Sequence, residues 1–166
     1  MSEPVINIDQ LEYHPWGHGE RFEARIGAVG ARIGATKLGY NVTVVPPGKR
    51  AFPFHSHRVN EELFFVLEGS GEIRIGAQRH SIRAGDFIAC PPGGAETAHQ
   101  LINTSATAEL RYLAISTQES PELAQYPDSG KYGLLARVPA SGDGQAQLLR
   151  FIVRDQASME DYWDGE

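Results

Sequence analysis

The sequence predicts an all-β fold of short antiparallel strands closed into a sandwich or barrel. Three observations carry this expectation. Between residues 62 and 116 short apolar runs follow one another. Most are stopped by turn residues at near-regular intervals: Gly69-Ser-Gly71, Gly76-Ala-Gln78, Ala84-Gly-Asp86 and Pro91-Pro-Gly-Gly94. Finally, 18 glycines and 10 prolines are spread along all 166 residues, which suits many short elements better than a few long helices.

Taken in order, residues 1–20 are polar and turn-rich around the aromatic knot Tyr13-His-Pro-Trp16, and they read as an arm lying on the body or on a partner. Strands are expected only after them. Residues 22–29 and 38–45 come first, the second halted by Pro46-Pro-Gly48, which cannot continue a sheet ladder. Then follow 62–68, 72–75, 79–83, 87–90, 99–103 and 109–116. The segment 121–131 reads as irregular, 132–138 and 147–154 as late strands, and 159–163 as a short acidic, aromatic tail. No internal repeat or low-complexity segment interrupts this pattern.

One stretch departs from ordinary strand chemistry. His55-Ser-His57 and Glu61-Glu62 stand directly before the apolar run Leu63-Phe-Phe-Val-Leu67. Side chains alternate across a strand, so His55 and His57 point the same way and can share one metal. By the same rule Glu62 shares a face with Phe64 and Val66, at the head of an interior wall where an unpaired carboxylate is costly. A cation removes that cost. Glu61 is the rival ligand, but parity assigns it to the outer face. His99 opens a later strand and is the fourth candidate, since a barrel can bring that strand opposite the first. Three imidazoles and one carboxylate suit a divalent transition metal such as Zn, Fe, Mn or Ni, and octahedral coordination leaves two positions for water or substrate. Glu96, three residues before His99, is a candidate general base, set against the plainer reading of a solvated loop carboxylate.

Composition narrows the partners. Lys and Arg total 15 against 21 Asp and Glu, a net charge of -6, which argues against nucleic acid because phosphate neutralisation needs clustered positive charge. No apolar run is long enough to span a bilayer. The single Cys90 can form no internal disulfide and reads as a buried, inert thiol, and no signal segment opens the chain, so a reducing, cytoplasmic setting is expected. Lys49, Arg50 and Arg58 flank the histidines and could greet an anion at a barrel mouth, although ordinary surface charge accounts for them equally well.

The spacing of His55, His57, Glu62 and Gly69, with Gly85, Pro91, Gly93, His99 and Asn103 downstream, resembles the paired motifs of the cupin superfamily. Gly48 precedes His55 by six residues where the family motif has five, and five residues (94–98) separate Gly93 from His99 where it has two. The resemblance covers about residues 36–116 and also extends, through Tyr126-Pro-Asp-Ser-Gly-Lys131 and Asp161-Tyr-Trp-Asp-Gly-Glu166, to a mostly uncharacterised bacterial subgroup of single-domain cupins. It implies an antiparallel double-stranded β-helix, the cupin jelly-roll barrel, as one domain over 1–166. The core would be 36–116, with 1–35 as N-terminal arm and strands and 117–166 as a C-terminal extension. It further implies a metal held inside by His55, His57, Glu62 and His99, and pairing of barrels into a homodimer, which the aromatic arm and the β edges to be covered also favour. Fold and metal leave the reaction open. The expectation is a protein that acts on or captures a small polar, metal-chelating molecule, as an oxygenase or a sugar-phosphate-type isomerase. The alternative is a non-enzymatic binding or sensory module.

Overall fold

The computed structural model describes residues 3–139, 147–154 and 163. Its strands are β1 (Tyr13–His18), β2 (Phe22–Ala28), β3 (Leu38–Val45), β4 (Ser56–His57), β5 (Glu62–Glu68), β6 (Ser70–Ile75), β7 (Gln78–Arg83), β8 (Phe87–Cys90), β9 (His99–Ile102), β10 (Leu110–Thr117), β11 (Glu122–Tyr126), β12 (Lys131–Val138) and β13 (Gln147–Val153). Two single-turn 3-10 helices, Ile8–Gln10 and Pro127–Ser129, are the only helical elements among the described residues.

Every strand ladder is antiparallel. A six-stranded sheet runs β1-β2-β3-β10-β5-β8, a four-stranded sheet β13-β12-β11-β4, and a three-stranded sheet β7-β6-β9. The two smaller sheets meet at an isolated bridge between His55 and His99. The fold is thus a jelly roll of the double-stranded β-helix kind, with the bridge drawing two histidines together.

The core follows from strand alternation. On β5 Phe64 and Val66 are buried and Glu68 is exposed, and across the ladder Val66 faces Tyr112, Phe64 faces Ala114 and Glu62 faces Ser116. Phe64, Val66, Ile73, Leu101, Leu110 and Tyr112 belong to one buried cluster. Each fully buried aliphatic or aromatic side chain there contributes about 1.5–3 kcal/mol relative to exposure. Phe65, on the outer face, instead leans on exposed Phe87 with ring centroids 4.4 Å apart.

Two expectations are corrected. The first strand begins at Tyr13, inside the supposed arm, where residues 13–18 pair in full register with 22–27. Pro15 and Gly17 mask the strand in the sequence. They are tolerated because β1 is the sheet edge, where a missing N–H donor breaks no ladder on the open side. The second correction concerns 121–131, which reads as irregular but contains β11, bracketed by Pro121 and Pro127. Its alternation is inverted in polarity, with Glu122 buried and Leu123 exposed, so hydrophobic period could not reveal it. The late strands stand where expected. The tail over 159–163 lies outside the described residues apart from Trp163, which is exposed.

Candidate metal centre

Three elements deliver the site. Ser56–His57 is a two-residue strand hydrogen-bonded to β11, Glu62 is the first residue of β5 in the large sheet, and His99 is the first residue of β9. The four side chains His55, His57, Glu62 and His99 each present one ligand atom, and these atoms all lie within 4.8 Å of one another. Oε2 of Glu62 is the hub, 2.8 Å from His99 Nε2, 3.5 Å from His57 Nε2 and 3.8 Å from His55 Nε2. Such a set could hold a metal ion.

The remaining ring nitrogens fix how the imidazoles are presented. His55 Nδ1 lies 2.8 Å from the Pro53 carbonyl and His99 Nδ1 3.3 Å from the Thr97 carbonyl. A carbonyl can only accept, so Nδ1 of His55 donates its proton and its Nε2 carries the lone pair, whereas Nε2 of His99 donates to Oε2 of the Glu62 carboxylate. His57 is different. Both its ring nitrogens are buried without a hydrogen bond, Nδ1 standing 3.7 Å from Oε2 of Glu122. A buried imidazole left short of partners fits a missing ligand at Nε2. The donor chemistry and this orphaned ring together fit a divalent transition metal.

Electrostatics agree. Burial, aided by the neighbouring His99, lowers the pKa of His55 to about 4, which keeps it neutral as a ligand must be. Burial opposes ionisation of Glu62, but the hydrogen bond from His99 and the nearby imidazoles of His57 and His55 outweigh it and hold the carboxyl well below its usual range. Burial likewise opposes the charged form of His57, yet Glu62 and Glu122 together raise its pKa.

Glu122 is the residue that sequence reasoning missed. Its buried carboxylate accepts from the backbone N–H groups of Arg58 at 3.0 Å, Val59 at 3.3 Å and Asn60 at 2.8 Å, and from Nδ2 of Asn60. It therefore ties the loop after His57 to β11 while facing the His57 ring. The signal that could have found it was the Pro-bracketed segment Glu122-Leu-Ala-Gln-Tyr126.

The lengthened loop before His99 is held from outside. Gly76 donates its N–H to the Ala98 carbonyl at 2.8 Å, has φ +54°, and lies so close to Glu96 that an added Cβ would meet the Glu96 carbonyl at 2.7 Å. Only glycine meets both demands. The three extra residues thus fold against the β6–β7 turn, and His99 still reaches Glu62. Asn103 secures backbone, donating to the carbonyls of Val45 and Ala108 and accepting from the Ser105 N–H.

The other named residues lie apart. Glu96 is at the surface, its carboxylate taking the Gly94 N–H at 2.7 Å, and it does not line the metal cavity. Glu61 is exposed and outside the cluster. Lys49 bonds the Glu20 carbonyl, Arg58 bonds Gln125, and Arg50 lines a different cavity. Cys90 is buried, and desolvation pushes its thiol up to about 12.

Beside the four ligands a cavity of about 140 Å³ opens into the barrel, walled by Phe52, Phe64, Leu101 and Ala114, with Asn41, Gln100 and Tyr112 as its other polar contributors. Tyr112 is fully buried and its hydroxyl has no hydrogen-bond partner. On the other side of His57 and Glu62 a groove of about 220 Å³ runs past Ser116, Glu119 and Arg137.

Comparison with known proteins places this architecture. Residues 41–116 match the family described as Cupin domain. An uncharacterised protein of Methanocaldococcus jannaschii is 32% identical over 60 residues, a match that spans 36% of this chain and 45% of that protein's length. Among solved structures, a sugar phosphate isomerase of the cupin superfamily from Silicibacter pomeroyi is 22% identical with a TM-score of 0.74, covering 97% of this chain and 98% of that one. The polyketide cyclase RemF from Streptomyces resistomycificus is 18% identical with a TM-score of 0.57, over 71% and 82% of the two chains. These likenesses to solved structures concern the fold, and the residues that match the Cupin domain family, 41–116, are those that carry His55, His57, Glu62 and His99.

Proposed function

We propose that this protein uses His55, His57, Glu62 and His99 to hold one divalent transition metal (Zn, Fe, Mn or Ni) and takes a small polar, metal-chelating molecule into the barrel. The observation that carries the reading is the convergence of four donor atoms within 4.8 Å at the head of a cavity with mostly apolar walls. Bound there, the metal would supply Lewis acidity, or redox chemistry if it is iron. The chain's own part is to orient and exclude water. Phe52 and Phe64 keep the chamber dry, and the unpaired Tyr112 hydroxyl offers a hydrogen bond to a ligand oxygen.

Volume restricts the ligand. A cavity near 140 Å³ is about the size that accommodates a benzene-sized molecule, which suits a small hydroxy acid, keto acid or diketone. A sugar phosphate would have to extend into the groove beyond His57 and Glu62. Among the residues that line the chamber, no carboxylate or imidazole remains free once the four ligands are assigned, and burial keeps Tyr112 protonated. That favours chemistry centred on the metal, or capture without turnover, over an isomerase that shuttles a proton through a side-chain base.

The same reading includes a homodimer in a cytoplasmic setting. The hairpin of β12 and β13 leaves Leu134, Leu148, Phe151 and Ile152 exposed, and β13 is an open sheet edge among the described residues. A second copy would cover both. Light scattering at micromolar concentration should give twice the 18.2 kDa chain mass, and a monomer mass would overturn this part.

The test of the main reading loads metal-free protein separately with Fe(II), Mn(II), Ni(II) and Zn(II) and screens hydroxy acids, diketones, catechols and sugar phosphates. Oxygen uptake with Fe(II) alone identifies an oxygenase. Turnover with Zn(II) and no oxygen uptake identifies an isomerase or lyase, and binding without turnover a capture or sensory module. No metal-dependent binding of any compound would overturn the reading.

A further inference from the structure

A second cavity lies outside the metal chamber and shares only Gln100 with it. It is the larger, about 520 Å³, and its walls include Trp16, Phe22 and Phe54. Three cations line it from three separate parts of the chain: Arg21 from the β1–β2 turn, Arg50 from the loop after β3, and Lys131 at the start of β12. Their convergence is a product of tertiary folding. Arg50 donates its backbone N–H to the Arg21 carbonyl at 3.1 Å, and Glu23 in turn donates to the Arg50 carbonyl at 3.0 Å, so the two arginines are held side by side.

The charges around the cavity do not balance. Asp128 lines it, but both its oxygens are taken by Arg74, at 3.0 and 2.8 Å, and Arg74 also lies 3.6 Å from the centre of the Phe54 ring. Glu23, next to Phe22 on β2, faces Lys49. Among the described residues Arg21, Arg50 and Lys131 form no ion pair, although the chain carries a net charge of -6. Acidic partners were available in the composition, yet three cations line one cavity with aromatic walls and none of them is paired with a carboxylate among the described residues. An anion in that cavity would form charge-assisted hydrogen bonds with them.

We propose that this cavity is a binding site for an organic anion, phosphorylated or carboxylated, whose charged group is held by Arg21, Arg50 and Lys131 and whose apolar part lies on Trp16 and Phe22. The site is independent of the metal. The four metal ligands are absent from its walls, so its occupancy does not rest on the reading of the barrel chamber.

Titration calorimetry of the full chain with phenyl phosphate, benzoate, inorganic phosphate and phenol tests it. Phenyl phosphate or benzoate should bind saturably at low ionic strength, more tightly than inorganic phosphate, and weaken as salt rises. Arg50→Gln and Lys131→Gln should each weaken binding about tenfold, as expected for loss of one charge-assisted contact, with thermal melts showing that each variant stays folded. His57→Ala, which removes a metal ligand, should leave it intact. Absence of saturable anion binding, equal binding of phenol, or binding that ignores both substitutions would overturn the proposal. So would loss of binding in His57→Ala, which would assign the anion to the metal.

Discussion

The imidazole of His57 stands between two carboxylates, with Nε2 3.5 Å from Oε2 of Glu62 and Nδ1 3.7 Å from Oε2 of Glu122. One carboxylate belongs to the proposed metal set, and the other ties β11 to the loop over 58–60. His57 is thus one point where the metal centre touches the chain's C-terminal part, beside the stacking of His55 on Tyr126 at a ring-centroid distance of 6.1 Å.

Removing this ring should empty the site. His57→Ala deletes one of four proposed ligands and is expected to lower metal affinity steeply. Elemental analysis after dialysis checks it: a variant retaining one equivalent as tightly as the parent would refute the assignment.

Glu122→Gln keeps the shape of the side chain but removes its charge. Metal affinity should fall about 10- to 100-fold, as for other outer partners of a ligating histidine. Stability should fall by about 2–3 kcal/mol because several N–H donors lose a charged acceptor. Competition with a chelator reads the first and urea unfolding the second. Unchanged affinity would mean that Glu122 serves the loop alone.

The metal-free protein should lose stability as pH falls from neutral to 5. An unfolded histidine takes up a proton below about pH 6.5, whereas His55 in the fold does so only near 4. Between those values the unfolded state binds more protons, so stability drops with falling pH. At pH 5 the contribution of His55 is about 2 kcal/mol. His57, whose pKa is raised, works in the opposite direction, so the clean measurement is the parent against His55→Gln. The variant should show a correspondingly smaller change between pH 7 and pH 5.

Tyr112→Phe removes a buried hydroxyl that has no partner. The fold should be no less stable, and slightly more so, because an unsatisfied polar group is lost. Binding of an oxygen-bearing ligand to the metal-loaded protein should weaken about tenfold, the loss of one hydrogen bond. Calorimetry showing unaltered ligand affinity would remove the hydroxyl from the site.

Cys90 should resist alkylation in the native protein at pH 8. Its pKa is raised to about 12, so the thiolate that reacts is scarce, and its side chain is buried. Mass spectrometry after iodoacetamide should show labelling only in denaturant.

Much of this protein is legible in its residues alone. The His55-Ser-His57 pair, the parity of Glu62 with Phe64 and Val66, and the turns at Gly69, Gly76, Gly85 and Pro91 are local signals, because strand alternation and turn chemistry act over a few residues. They anticipated the strands from β5 to β10 and the four clustered side chains. Three things required the tertiary structure. The strand β1 is hidden by Pro15 and Gly17, and only its place at a sheet edge makes them acceptable. Glu122 reads as an ordinary surface acid until β11 pairs with β4 and turns it inward, so its role depends on a partner 65 residues away along the chain, at His57. Arg21, Arg50 and Lys131 look like scattered surface charge in sequence and become a site only where three distant segments share one cavity. Alternation and turn preference are properties of neighbours in the chain, whereas the facing of a charge depends on what the fold places opposite it.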